Sequence, residues 1–270
     1  MSLSKNDLTP RIGTEIRAER QALIRGDHSS TVREVLEQRG VVVFRELNLS
    51  DEEQITFSKS LGDVIPQGEK GIFKVTLDSN ENRQAEYLKG AVLWHIDGST
   101  DDVPTRASLL SGRRLSPTGG QTEFSNTYAA YEDLPEADKK QIDKLRVIHT
   151  IQSIQRKIYP TPTAAQEEGW QRYQPKSHPL VWTHRSGRKS LVLGATVSHI
   201  ENMDPDASRA LIERLERWST QPKYVYRHEW KLGDLLIWDN TGTMHRVLPY
   251  AVDSGRMMHR TTLVGEEELV

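Results

Sequence analysis

Cysteine is absent from the 270 residues. Its absence excludes disulfides, thiolate metal sites and a cysteine nucleophile, and it suits a reducing compartment. Long apolar runs are missing too. Stretches such as Gly40-Val41-Val42-Val43-Phe44 fall far short of the roughly 20 residues that a membrane helix needs. Neither charge is in excess, with 36 basic side chains against 38 acidic ones. That balance leaves no basic surface for nucleic acid or an anionic membrane, so a small-molecule ligand is the expected partner. The segment Met1-Ser2-Leu3-Ser4-Lys5-Asn6-Asp7 is too polar for a secretory signal, because no apolar core follows it. The expected location is the cytoplasm.

What is present begins with local helix and strand signals. Thr31-x-x-Glu34 has the form of a capping box, with Val32, Val35 and Leu36 behind it and Gly40 as a stop. Val41-Val42-Val43-Phe44 reads as a buried strand. Ser50-x-x-Glu53 opens a second helix with Ile55, Phe57 and Leu61 as its apolar positions and Gly62 at its end. From about Ile72 onward strands broken by Gly, Pro, Asn and Asp are expected. Ala91 to Trp94, Ser108 to Leu110 and Gln121 to Phe124 belong to this series, the last following the turn Pro117-Thr118-Gly119-Gly120. A polar, helix-rich insert is expected between about Tyr128 and Gly169. Leu180 to Thr183 and Ser190 to Leu193 flank a hairpin at Ser186-Gly187-Arg188, and Asp206 to Thr220 carries one apolar stripe through Leu211, Ile212, Leu215 and Trp218. The last strands are Val225 to Arg227, Leu235 to Trp238 and Arg260 to Leu263. No repeat or linker divides the chain. Many strands with a few helices predict a mostly β barrel or sandwich in one domain, residues 1–270.

The chemistry concentrates in two places. Trp94-His95-Ile96-Asp97 lies in the first half, and Trp238-Asp239-Asn240 followed by His245 lies near the end. Two imidazoles and one carboxylate form the ligand set of a mononuclear non-haem iron(II) site, which leaves three corners of an octahedron open. The same set also serves zinc with an open position, as in a hydrolase, or a metal held without catalysis. His-x-Asp alone is short enough to arise by chance among nine histidines, and such a pair is often only a hydrogen bond. On a strand, His95 and Asp97 would share one face. Arg256 and Arg260 follow His245 beside strand-forming Thr261, Thr262 and Leu263. A buried arginine suits the far end of a dicarboxylate, because its planar fork can pair two oxygens. Arg256 nevertheless follows loop-like Asp253-Ser254-Gly255, and read locally it is a solvated charge.

In this order and spacing, the motifs resemble the taurine dioxygenase (TauD/TfdA) family of iron(II)- and 2-oxoglutarate-dependent dioxygenases. The likeness runs from Val41 to Leu263 through Trp94-His95-Ile96-Asp97, Gly119-Gly120-Gln121-Thr122, Trp238-Asp239-Asn240 with His245, and Arg256 to Arg260. It implies a double-stranded β-helix (jelly-roll) core with flanking helices. It implies His95, Asp97 and His245 as iron ligands and catalytic residues, and Thr122 and Arg256 as the grip on 2-oxoglutarate. Arg256 stands eleven residues after His245 and Arg260 fifteen after it; in relatives that take sulfonates, sulfates or carboxylates, the arginine at the second position often contacts the substrate. The implied cofactors are Fe(II), with 2-oxoglutarate and O2 as cosubstrates. The implied reaction is oxidative decarboxylation of 2-oxoglutarate coupled to hydroxylation of a C–H bond. Dimers or tetramers are common among such relatives, which makes a homo-oligomer the expectation.

One departure bears on the substrate. Members that hydroxylate taurine use a histidine ahead of His-x-Asp, whereas Leu61-Gly62-Asp63-Val64-Ile65-Pro66-Gln67-Gly68 contains none. Val92 and Leu93, just before Trp94, are apolar. The pattern argues against taurine and for a larger, less polar acid, such as an aryloxyalkanoate or alkyl sulfate, if Arg260 is its anchor. A biosynthetic role on an amino acid or natural product stays open at this level. His28, His149, His178, His184, His199, His228 and His259 match no family role and read as structural or surface residues; Asp239 and Asn240 read as turn or supporting residues.

Overall fold

The computed structural model describes residues 3–270, so Met1 and Ser2 of the polar start lie outside the described residues. From the N-terminus the chain forms β1 (Ser4–Asp7), β2 (Thr14–Arg17), α1 (Arg20–Arg25), α2 (Ser29–Arg39), β3 (Val41–Phe44) and α3 (Asp51–Leu61). There follow β4 (Phe73–Val75), α4 (Ala85–Leu88) with a 3-10 turn over Lys89–Val92, β5 (Ala107–Arg114) and β6 (Thr122–Asn126). The middle holds α5 (Thr127–Glu132), α6 (Glu136–Ile142), β7 (Arg146–His149), α7 (Ile151–Ile158), α8 (Ala164–Gln171), β8 (Lys176–Pro179), β9 (Val181–Thr183), β10 (Lys189–Leu191) and β11 (Val197–Ile200). The chain closes with α9 (Pro205–Ser219), β12 (Val225–His228), β13 (Leu235–Asp239), β14 (Thr243–Val247) and β15 (Met257–Thr262).

A seven-stranded sheet in the order β1-β2-β3-β13-β5-β15-β4 faces a three-stranded sheet in the order β12-β6-β14. Alternation along the strands builds two cores at once. Val41, Val43, Leu110, Leu236, Trp238 and Met258 point inward onto Phe124 and Tyr226 of the smaller sheet. Their neighbours Val42, Phe44, Leu109, Leu235 and Ile237 point outward onto Leu23, Val32, Leu36 and Phe57 of α1 to α3. Strands covered on both faces have no polar side to show, which is why β3 and β13 read as continuous apolar runs. A third cluster packs α5 and α9 against β7, β9, β10 and β11.

Local signals were reliable where they close within one turn. Ser50 caps α3 in a reciprocal capping box with Glu53, and Gly40 ends α2 in the left-handed region at φ 72°. The capping box expected at Thr31 does not form. The N-cap position lies three residues earlier, at His28, which makes no side-chain cap, so Thr31 lies inside the first turn. The helix-rich insert is interrupted by β7, which pairs with β8 and β11. His95 and Asp97 do not sit on a regular strand. The stretch before them closes into the 3-10 turn, and His95 makes only an isolated antiparallel bridge to His245. The strand β14 that carries His245 was not foreseen, because the polar and buried residues of Thr243-Met244-His245-Arg246-Val247 give no clear apolar alternation.

Candidate active site

The isolated bridge is the centre of the site. The His95 amide donates to the His245 carbonyl at 3.0 Å, and the His245 amide donates back to the His95 carbonyl at 2.9 Å. Two residues that exchange both backbone bonds sit directly opposite one another, and here their rings lie 4.2 Å apart. Gly194 permits the approach of the chain behind His95. It has φ +113°, and a Cβ there would stand 2.9 Å from the Trp94 carbonyl oxygen and 3.0 Å from the His95 Cα. Asp97 turns back toward the pair, with its oxygens 3.8 Å from His95 Nε2 and 3.9 Å from His245 Nε2. One ligand atom from each of the three residues falls within 4.8 Å of the others.

The donor set suits a metal on its own chemistry. The His95 Nδ1–H donates to the Leu93 carbonyl at 2.8 Å, which leaves the lone pair on Nε2, the nitrogen that faces Asp97. Burial, followed by the neighbouring His95, pushes His245 down to about 3, so it stays neutral and able to ligate. Burial would raise Asp97, but Arg260, both imidazoles and Ser108 overcome it and hold the carboxyl at about 2. Asp97 Oδ2 accepts from Arg260 Nη1 at 3.2 Å and from Ser108 Oγ at 3.4 Å. Ser108 in turn accepts from Asn240 Nδ2 at 3.2 Å, and Asn240 Oδ1 accepts from Trp238 Nε1 at 2.6 Å. Asn240 therefore supports the carboxylate through Ser108. Asp239 holds the turn instead, bound by Arg106 at 2.6 Å and by the Thr241 amide at 2.8 Å.

The second part of the site lies on the same inward face. Thr122 and Phe124 on β6 stand opposite Val247 and His245 on β14, Arg260 lies within β15, and Arg256 immediately precedes that strand. Arg256 is buried, with 4% of its surface exposed, so the solvated-charge reading is wrong. Its guanidinium donates to the Gly120 carbonyl at 3.1 Å, lies over the Tyr250 ring, and has no carboxylate partner among the described residues. Burial lowers its pKa, with Tyr250 opposing. Gly119 and Gly120, both at positive φ, let the turn before β6 lie against it. A Cβ on Gly120 would meet Arg256 Nε at 2.9 Å. Thr122 Oγ1 accepts from Trp230 Nε1 at 3.0 Å, so its own proton is free for an acceptor. A buried cation and a free hydroxyl donor lining one cavity could together receive a carboxylate.

One cavity joins the two parts. Its polar lining, the floor, holds His95, Asp97, His245, Thr122, Arg256 and Arg260, and its apolar wall holds Phe73, Leu88, Ala91, Ile151 and Ile154 with Tyr87. Sequence reasoning brought together all six floor residues and missed the wall. Ser108, Trp230 and Tyr250 were missed as well, since a serine in an apolar strand and two isolated aromatics carry no spacing signal.

Comparison with known proteins decides the family. The sequence model of the "Taurine catabolism dioxygenase TauD, TfdA family" matches residues 4–262. This chain belongs to the TauD/TfdA family. A 2,4-dichlorophenoxyacetate dioxygenase of Burkholderia sp. (strain RASC), dependent on alpha-ketoglutarate, is 36% identical, covering 85% of this chain and 83% of the relative. An alkylsulfatase of Acinetobacter baylyi (strain ATCC 33305 / BD413 / ADP1) is 31% identical, covering 98% of this chain and 86% of the relative. The crystal structure of AAD-2 in complex with Mn(II) and N-oxalylglycine superposes with TM-score 0.86 at 32% identity, covering all of both chains. As a TauD/TfdA member the protein is an oxidoreductase that uses iron(II), 2-oxoglutarate and O2. The zinc hydrolase and the non-catalytic metal-binding barrel, open on the His-x-Asp motif alone, are set aside. No helix among the described residues is long and apolar enough to cross a membrane.

Proposed function

We propose that His95, Asp97 and His245 hold the iron and that Thr122 and Arg256 hold the distal carboxylate of 2-oxoglutarate. The observation that carries this reading is Arg256, a buried guanidinium with no acidic partner in the same cavity as the His-Asp-His cluster. When bound, iron and 2-oxoglutarate supply the oxidising chemistry that the side chains lack. The residues of the chain bind, orient and exclude water. Leu93 fixes the His95 ring, and Ser108 with Arg260 holds Oδ2 of Asp97. The apolar wall keeps solvent from the reacting C–H bond, and the floor sets its direction.

The proposed substrate is a small, largely apolar acid of the aryloxyalkanoate or alkyl sulfate kind, hydroxylated at a C–H bond, and not taurine. Two observations support it. One wall of the cavity is apolar and aromatic, and Arg260 lines the cavity over Phe73 with its Nε free of a partner. Arg260 then serves twice, clamping Asp97 through Nη1 and anchoring the acid group of the substrate. The architecture is read as a jelly-roll core in one domain over 1–270, supported by the facing seven- and three-stranded sheets. A homo-oligomer in the cytoplasm completes the proposal.

The test is a panel of acids and matched neutral compounds scored by 2-oxoglutarate-coupled succinate formation. Turnover of aryloxyalkanoates or alkyl sulfates is expected, and turnover of uncharged compounds alone would overturn the substrate class. Replacement of His95 or Asp97 by Ala is expected to abolish coupled succinate; retained activity would remove the ligand assignment.

A further inference from the structure

Beside the floor of the cavity runs a buried polar chain with no part in holding metal or cosubstrate. Ser99 Oγ lies 2.9 Å from Thr196 Oγ1, and Thr196 Oγ1 lies 2.9 Å from His149 Nδ1. His149 is fully buried, and Ser99 and Thr196 are nearly so, yet both hydroxyl residues line the cavity. The backbone holds each member in place. Thr196 receives the Thr150 amide at 2.8 Å, and Ser99 follows Asp97 by two residues in the same turn.

The direction of the chain follows from counting protons. Burial pushes His149 down to about 3, so near neutral pH its ring carries one proton. Its Nε2 is buried with no hydrogen-bond partner among the described residues. An orphaned N–H is rarer in folded proteins than an under-used acceptor, so the proton belongs on Nδ1, which donates to Thr196. Three protons are then available, on Nδ1, the Thr196 hydroxyl and the Ser99 hydroxyl, while only two hydrogen bonds link the three groups. One hydroxyl hydrogen is left over, and both residues line the cavity.

We propose that Ser99 and Thr196, polarised from behind by His149, form a substrate-recognising donor that binds an acceptor oxygen of the acidic substrate in an otherwise apolar part of the pocket. The inference rests on the substrate reading above. It complements Arg260, which donates to Asp97 through Nη1 and so does not meet every oxygen of the acid group on its own.

The experiment uses the full-length enzyme with 2,4-dichlorophenoxyacetate as the probe. Thr196→Val keeps the shape and removes the hydroxyl, Thr196→Ser restores it, and Ser99→Ala removes the outer member. A rise in KM for the probe of about tenfold is expected for Thr196→Val and Ser99→Ala, as for loss of a hydrogen bond to a charged group. The probe should also perturb the visible band of the anaerobic iron(II) and 2-oxoglutarate complex at correspondingly higher concentration. The KM for 2-oxoglutarate should stay unchanged, and Thr196→Ser should return the KM for the probe to near the parent value. If the parent enzyme turns over the probe and KM does not move in either hydroxyl-removing variant, the inference is wrong and the proposed function stands. If the KM for 2-oxoglutarate rises in parallel, the chain has only a structural role and the inference is again wrong. If the parent neither binds nor oxidises the probe, the aryloxyalkanoate reading fails and the inference falls with it.

Discussion

At the scale of single residues, Arg256 is a buried cation where the local sequence reads as a surface charge. Its sequence context after Asp253-Ser254-Gly255 gave no hint of burial, because burial depends on the Gly119-Gly120 turn arriving from more than a hundred residues away. A guanidinium held without an acid partner lacks part of its compensation until an anion arrives. Arg256→Gln is expected to raise the KM for 2-oxoglutarate by about tenfold or more, in line with the loss of a charge-assisted pair. Iron(II) affinity in the absence of 2-oxoglutarate should be unchanged. Steady-state kinetics together with metal titration would check both parts. An unchanged KM would move the cosubstrate grip elsewhere. The six floor residues were legible in advance because the family spacing names them. Ser108 was not, since its role depends on β5 lying beside β13, where Asn240 can reach it.

At the scale of elements, the turn before β6 shows how backbone freedom becomes function. Gly120 has φ +78°, a region that suits glycine, and the place of its missing Cβ lies against Arg256. Gly120→Ala adds both backbone strain and a contact that pushes the guanidinium aside. The expected result is a weaker grip on 2-oxoglutarate, read as a raised KM, with a loss of stability of about 1 kcal/mol or more measured by urea unfolding. A full-strength grip in the variant would show that the turn only connects strands. The helices follow a simpler logic. Ser50 and Glu53 satisfy the first turn of α3 within four residues, so their motif could be read directly. Thr31 and Glu34 match the same pattern but lie inside α2, which begins at Ser29 and packs against β3 and α3.

At the scale of the whole molecule, the two-sided seven-stranded sheet is the scaffold, and Asp234 ties its end together. The carboxylate is fully buried. It accepts from Arg45 at 2.7 Å, the Glu46 amide at 2.9 Å, the Lys231 amide at 3.0 Å and His228 Nε2 at 3.1 Å. Burial would raise its pKa, but His228 foremost, with the Glu46 and Lys231 amides, holds it at about 2 against an ordinary 3.8. A carboxyl depressed in the folded state contributes stability above its unfolded pKa and loses it as pH falls through the folded value. Asp234 therefore contributes about 2 kcal/mol near neutral pH, lost between about pH 4 and pH 2. Asp234→Asn is expected to be less stable at pH 7 and to show a shallower decline over that acid range. Denaturant unfolding at a series of pH values would check this. An identical acid slope in the variant would place the titrating group elsewhere. A single unfolding transition in the same experiment is the outcome expected of one domain.

What the sequence determined by itself was whatever depends on near neighbours or on spacing. The capped α3, the apolar β3 and β13, the hairpin of β9 and β10, and the ordered series His95, Asp97, Thr122, His245, Arg256 and Arg260 are of this kind. Tertiary structure alone decided which charges are buried and which are paired. Arg256 proved to be enclosed, Arg260 to be bound to Asp97, and His149 to stand behind Thr196. Burial and ion pairing depend on strands far apart in the chain meeting at one register. The bridge between His95 and His245 shows the reason most directly. Two backbone hydrogen bonds across 150 residues bring the histidines opposite each other, and no local pattern in either segment encodes that meeting.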